Sequence, residues 1–106
     1  MSVSEEGVTS TREFQLHQNY PNPFNPATTI SFNLPSACLV SPKIYDLLGV
    51  EIATLESGMF QPGTHVVTWS PRGLPSGIYF CRLSAINMGS GGDRAFTGSR
   101  RLILAK

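Results

Sequence analysis

Charge is scarce in this chain of 106 residues: 14% of positions are Asp, Glu, Lys or Arg, and eight basic against seven acidic side chains leave a net charge of +1. So weak a field does not gather polyanions, so nucleic acid and anionic membrane surfaces are not expected partners. Histidine is limited to His17 and His65, and cysteine to Cys38 and Cys81. Two cysteines with two distant histidines make a poor zinc set. There is no Gly-x-Ser-x-Gly, and no pair of carboxylates falls into an acid/base arrangement. Gly89, Gly91 and Gly92 lack the Lys-Ser/Thr pair and following helix of a phosphate cradle and read as a hairpin tip. The chain is expected to be no enzyme, to hold no metal and to need no cofactor.

Long apolar runs are missing too. No window approaches the ~18 residues of a membrane-spanning helix, so membrane insertion is not expected. The opening Met1-Ser-Val-Ser-Glu-Glu-Gly7 has neither a basic nor an apolar signal region, so no signal peptide is expected within this chain. Either the protein stays in the cytoplasm, or the chain is a piece of an exported parent. Uninterrupted helical stretches are also lacking, because ten glycines and eight prolines are spread along the sequence. The longest runs free of both, Val8 to Tyr20 and Ile78 to Met88, show no 3.6-residue apolar period. The expected class is all-β, in one domain.

What is present fits that class. Residues 1–13 are polar and lack aromatics, and are expected to be a flexible linker or tail ahead of a folded domain over 14–106. Phe14-Gln-Leu16 starts a short alternating stretch that Asn19-Tyr-Pro-Asn-Pro-Phe-Asn-Pro26 cuts off; its prolines fix φ and remove donors, which makes a stiff, irregular strap. Thr28 to Leu34 alternates with period two and puts Ile30, Phe32 and Leu34 on one face. Leu39 to Tyr45 and Val50 to Leu55 read as hairpin arms around Asp46-Leu-Leu-Gly49, a type I turn opened by Asp46 and closed by Gly49. His65 to Trp69, Ile78 to Leu83 and Arg101 to Leu104 supply three more strands. Roughly seven short strands at this spacing predict an antiparallel β-sandwich, with Ile30, Phe32, Ile44, Ile52, Trp69, Phe80 and Leu83 in its core.

The order of these motifs resembles the C-terminal sorting domains of the type IX (Por) secretion system, a family that overlaps the Ig-like domain of flagellar hook-capping proteins. The resemblance rests on Asn19 to Pro26 followed by Thr28-Thr-Ile, on Lys43-Ile-Tyr-Asp-Leu-Leu-Gly49 with Glu51-Ile-Ala-Thr-Leu55, and on Pro62-Gly-Thr-His65 with Trp69. Ser76-Gly-Ile-Tyr-Phe80 with Arg82-Leu83 and the terminal Arg101-Leu-Ile-Leu-Ala-Lys106 complete it. It implies an Ig-like antiparallel sandwich, and a non-catalytic secretion-sorting and cell-surface anchoring module of a larger exported protein. That parent would pass through the periplasm and be secreted or held at the cell surface, with the outer-membrane secretion and sorting machinery as the domain's partner. The other reading is a structural or accessory hook-cap-like domain that packs against neighbouring protein domains and is not cleaved. Two departures stand out: Pro42 replaces an apolar strand residue and predicts an edge or bulge there, and Asn87 to Gly98 is longer and richer in Gly than the family's last hairpin.

Several residues follow as candidates. Trp69 and Tyr79 are expected as core and corner residues, and Tyr20, Pro21 and Phe24 as the strap that closes one end of the sandwich. Cys38 and Cys81 are either two buried thiols or one disulfide, which would close a loop of roughly 40 residues worth about 4 kcal/mol. After Asp93, Arg94, Arg100, Arg101 and Lys106 carry all the charge. One reading makes them guards of an exposed edge strand. The other makes Arg100, Arg101, Leu102, Ile103, Leu104 and Lys106, with the corner at Gly77 and Tyr79, the surface a translocon reads.

Overall fold

The computed structural model describes residues 14–87 and 95–106. The expected linker over 1–13 and the middle of the Gly-rich stretch, Arg94 included, lie outside the described residues. The described strands are β1 (Gln15–Leu16), β2 (Thr28–Leu34), β3 (Cys38–Tyr45), β4 (Glu51–Thr54), β5 (Gly58–Phe60), β6 (Gly63–Trp69), β7 (Gly77–Asn87) and β8 (Ala95–Leu104). No helix occurs among the described residues. One sheet runs β1-β2-β6 and the other β4-β3-β7-β8, with β5 pairing β3 beside β4. Every strand pair is antiparallel.

The period-two alternation turns one side of each strand inward. Ile30, Phe32 and Leu34 of β2 and Val67 and Trp69 of β6 face Val40 and Ile44 of β3, Cys81 and Leu83 of β7, and Leu102 and Leu104 of β8. Parity moves Phe80, an expected core residue, to the other face: Tyr79, Cys81, Leu83 and Ala85 are buried, and Phe80 is half-buried on the outside of the larger sheet. Ile52 is likewise half-buried, packed against the core from β4.

Pro42 is neither at an edge nor bulged, which corrects the expectation for it. β3 is a central strand, with Pro42 opposite Leu83 of β7. On its other side β5 pairs as far as Val40 and the pairing with β4 starts at Lys43, so Pro42 lies where the edge is split in two. Its carbonyl still accepts from Leu55 N at 2.9 Å, while its missing N–H falls in the gap, where no ladder bond is lost. The register shift in this hairpin sits instead between Ile44 and Tyr45, next to the turn. There Asp46 Oδ1 accepts from Leu48 N and Val50 N, both at 2.9 Å, and Gly49 takes a φ of 87°.

β8 begins at Ala95, well before the expected Arg101. Its first half reads as polar because its inward positions meet β1 in place of the main core. Phe96 stacks on Phe14 with ring centroids 5.0 Å apart, and a Cβ on Gly98 would lie 3.3 Å from Leu16. The disulfide does not form: both cysteines are free and buried. Cys38 is level with Asn87 and Cys81 with Ile44 on neighbouring strands. That stagger is roughly 20 Å at ~3.3 Å per residue, far beyond the Cα separation of about 4.4–6.8 Å that a bridge spans.

Candidate functional site at the C-terminal end of the sandwich

The antiparallel register of β7 and β8 sets Gly77 opposite Leu104 and Tyr79 opposite Leu102, so the start of one strand and the end of the chain share one end of the sandwich. Tyr79 is buried, packs edge-on against Trp69 with centroids 5.7 Å apart, and donates its Oη to the Pro75 carbonyl at 2.6 Å. A Tyr near the start of this strand, two residues before an inward Cys and bonded back upstream, is the tyrosine corner of immunoglobulin-like sandwiches. It fixes the loop before β7, and Ser76 Oγ there accepts from Lys106 N at 3.0 Å.

The outer edge of β8 is covered, which corrects the reading of an exposed terminal edge strand guarded by charge. Phe24 N donates to Ile103 O at 2.9 Å, and Ala105 N returns to Phe24 O at 3.0 Å. Asn22 Oδ1 accepts from Ile103 N at 2.9 Å, and Gln18 Nε2 donates to Arg101 O at 2.8 Å. The strap with its three prolines cannot pair as a regular strand, yet it satisfies this edge with backbone and amide groups. Phe24 is its anchor, buried against Trp69 at 5.6 Å. The Pro21 carbonyl accepts from Asn19 Nδ2 and Thr28 Oγ1. Tyr20 departs from expectation: its backbone bridges to Thr29, but its side chain is 80% exposed and closes nothing.

The candidate recognition residues separate accordingly. Leu102 and Leu104 lie in the core, and Ile103 is half-buried with its backbone held by the strap. Arg100 and Arg101 project to opposite faces: Arg100 Nε donates to Leu16 O at 3.0 Å, tying β1 to β8, whereas Arg101 stands on the outer face across from Phe80. Gly77, Arg101 and Lys106 are exposed. Beside them is an apolar cluster that the sequence reading did not single out: Leu48 is 88% exposed, with Leu47, Val50 and Ile78 also exposed. Leu47, Leu48, Gly77, Ile78 and Tyr79 line an open cleft of about 240 Å³. The signal was available, because the two central residues of a tight hairpin turn project away from both sheets.

Among the described residues no group of three His, Cys, Asp or Glu is placed to hold a metal ion. His65 Nε2 lies 2.6 Å from the Gln61 carbonyl, and His17 is exposed on the strap. Burial pushes the Cys81 thiol up to about 12 from 9.0, which keeps it protonated and unreactive at neutral pH.

Sheet order and tyrosine corner together define an immunoglobulin-like β-sandwich. The family model for the secretion system C-terminal sorting domain matches residues 18–90, and the chain belongs to that family. The domain therefore has a C-terminal secretion-sorting role in a larger protein, one that is secreted or found at the cell surface. The match covers the strap through β7, so all of β8, with Arg100 to Lys106, lies outside it. The chain matches no curated protein and no solved structure.

Proposed function

We propose that the domain is a non-catalytic address, read in its folded state at the C-terminal end of the sandwich by the outer-membrane sorting machinery, and that it delivers its parent from the periplasm to the cell surface. The observation that carries this reading is the convergence at one end of Gly77, Arg101 and Lys106 with the exposed Leu47 and Leu48. Cations beside an apolar patch on a rigid corner suit a partner surface that is itself apolar with an acidic rim. Leu102 and Leu104 serve this surface by fixing its backbone from within the core.

A reporter fused ahead of the domain, in a cell with the type IX machinery, tests the site. Arg101→Gln with Lys106→Gln, and separately Leu47→Ser with Leu48→Ser, should lower surface delivery. Each should keep the melting temperature, because substitutions at exposed positions change stability by about 0.5 kcal/mol or less. Arg100 is left intact because it holds β1. Wild-type delivery by both folded variants would place recognition elsewhere. A reporter that stays uncleaved on neighbouring domains would favour the accessory role.

A further inference from the structure

Among the described residues the sandwich has four lateral edges, and three are blunted wholly or in part. The strap occupies the outer edge of β8 from Arg101 onward, and Arg100 Nε ties the strand to Leu16 O. β1 is two residues long. The β4/β5 edge is interrupted between Thr54 and Gly58 and carries Glu51 and Glu56. Short strands, interruptions, charges and covering segments are the devices by which sheets avoid pairing with another chain. β6 has none of them. It runs unbroken from Gly63 to Trp69 without Pro, Lys, Arg, Asp or Glu, and among the described residues it pairs only β2. In constant-type immunoglobulin sandwiches the corresponding sheet has a fourth strand at this place. Here the segment before β6, β5, pairs β3 in the other sheet, and no described residue fills the fourth place.

The free groups follow from the ladder. His17 N donates to Ser31 O, and Thr29 exchanges both backbone bonds with Tyr20, so Thr29 and Ser31 turn their polar groups away from β6. By alternation, Ile30, Phe32 and Leu34 bond to Val67, His65 and Gly63, and the N–H and C=O groups of Thr64, Val66 and Thr68 point out of the sheet. All three side chains are exposed, Val66 by 59%. Thr64-x-Val66-x-Thr68 reads the same in both directions about Val66. An antiparallel two-fold pairing would set Val66 against its own copy and Thr64 against Thr68, each pair exchanging both backbone bonds. Val–Val and Thr–Thr are favourable cross-strand pairs, and no like charges meet. Such an interface is isologous and closes at two copies.

We propose that β6 is a strand-pairing surface whose occupant is a second copy of this chain, joined through Thr64, Val66 and Thr68 into one continuous six-stranded sheet. The contact is small, so it is a weak, concentration-dependent dimer. It is independent of the sorting site, which lies on other strands.

Sedimentation of the full chain from about 10 µM to about 1 mM spans the range in which so small an interface associates. Wild type is expected to pass from monomer to dimer, with the amides of Thr64, Val66 and Thr68 gaining protection from hydrogen exchange as concentration rises. Val66→Lys sets two ammonium groups face to face and should weaken association at least about tenfold while leaving the melting temperature unchanged. Val50→Lys, at a similarly exposed residue in the turn between β3 and β4, should leave the dimer intact. A wild-type monomer throughout this range would overturn the proposal. So would a dimer that Val50→Lys disrupts and Val66→Lys does not, or β6 amides protected only when an unrelated extended peptide is added.

Discussion

Phe24 and Tyr20 occupy one proline-rich strap four residues apart, and their substitution by Ala should give opposite results. Phe24 is 1% exposed, its ring 5.6 Å from Trp69, and its backbone exchanges bonds with Ile103 and Ala105 along the edge of β8. Truncating a buried Phe costs about 3–5 kcal/mol, because apolar transfer is lost and the cavity only partly closes. The tilted contact with Trp69 accounts for about 0.5–1.5 kcal/mol of the interaction beyond area burial. Against a total stability of roughly 5–15 kcal/mol for a domain of this size, that is a large share. The melting temperature should fall by roughly 15–30 °C. Tyr20 is 80% exposed and contributes through its backbone bonds with Thr29, which Tyr20→Ala retains. Its cost should stay within about 0.5 kcal/mol. Urea unfolding followed by circular dichroism and by the fluorescence of the single Trp69 measures both variants. Equal losses, or a Phe24→Ala protein as stable as wild type, would refute the claim that the strap is held by one buried ring and its hydrogen bonds.

Two further outcomes follow from the corner and the core. Tyr79→Phe removes the bond to the Pro75 carbonyl and keeps the ring against Trp69. A loss of about 1 kcal/mol is expected in thermal unfolding, and a change matching a full truncation would mean that the corner does more than hold its loop. Cys81 is protonated in the fold up to about pH 12 but only to about 9.0 unfolded, so its contribution is complete below pH 9 and is lost as the solution is taken from pH 9 towards 12. Stability should decline over that window by on the order of several kcal/mol, and Cys81→Ala should flatten the decline. At pH 8 a thiol reagent should leave Cys81 unmodified in the folded chain.

Much of the sheet could be read from local pattern. Ile30, Phe32 and Leu34 alternate within one strand, and Asp46 with Gly49 closes a turn from its own atoms, so no distant residue is needed to fix either. The motif order from Asn19 to Leu83 likewise carried the family, whose model matches residues 18–90. What local pattern could not decide was what lies beside each strand. Phe80 reads as core until the parity set by Cys81 and Leu83 turns it outward, and Pro42 reads as an edge residue until β4 and β5 part around it. The first half of β8 has too few apolar residues to register as a strand, because it packs on Phe14 and Leu16 from the far end of the chain. Arg100 and Arg101 are one charge cluster in sequence. The pleat sends them to opposite faces, one as a clamp on Leu16 and the other to the exposed outer face across from Phe80. Composition and periodicity thus determined an all-β sandwich, and the order of its motifs carried the resemblance to the family. Tertiary structure decided which edges are covered and which cations are free, since hydrogen-bond satisfaction at a sheet edge depends on segments that the sequence holds some eighty residues away.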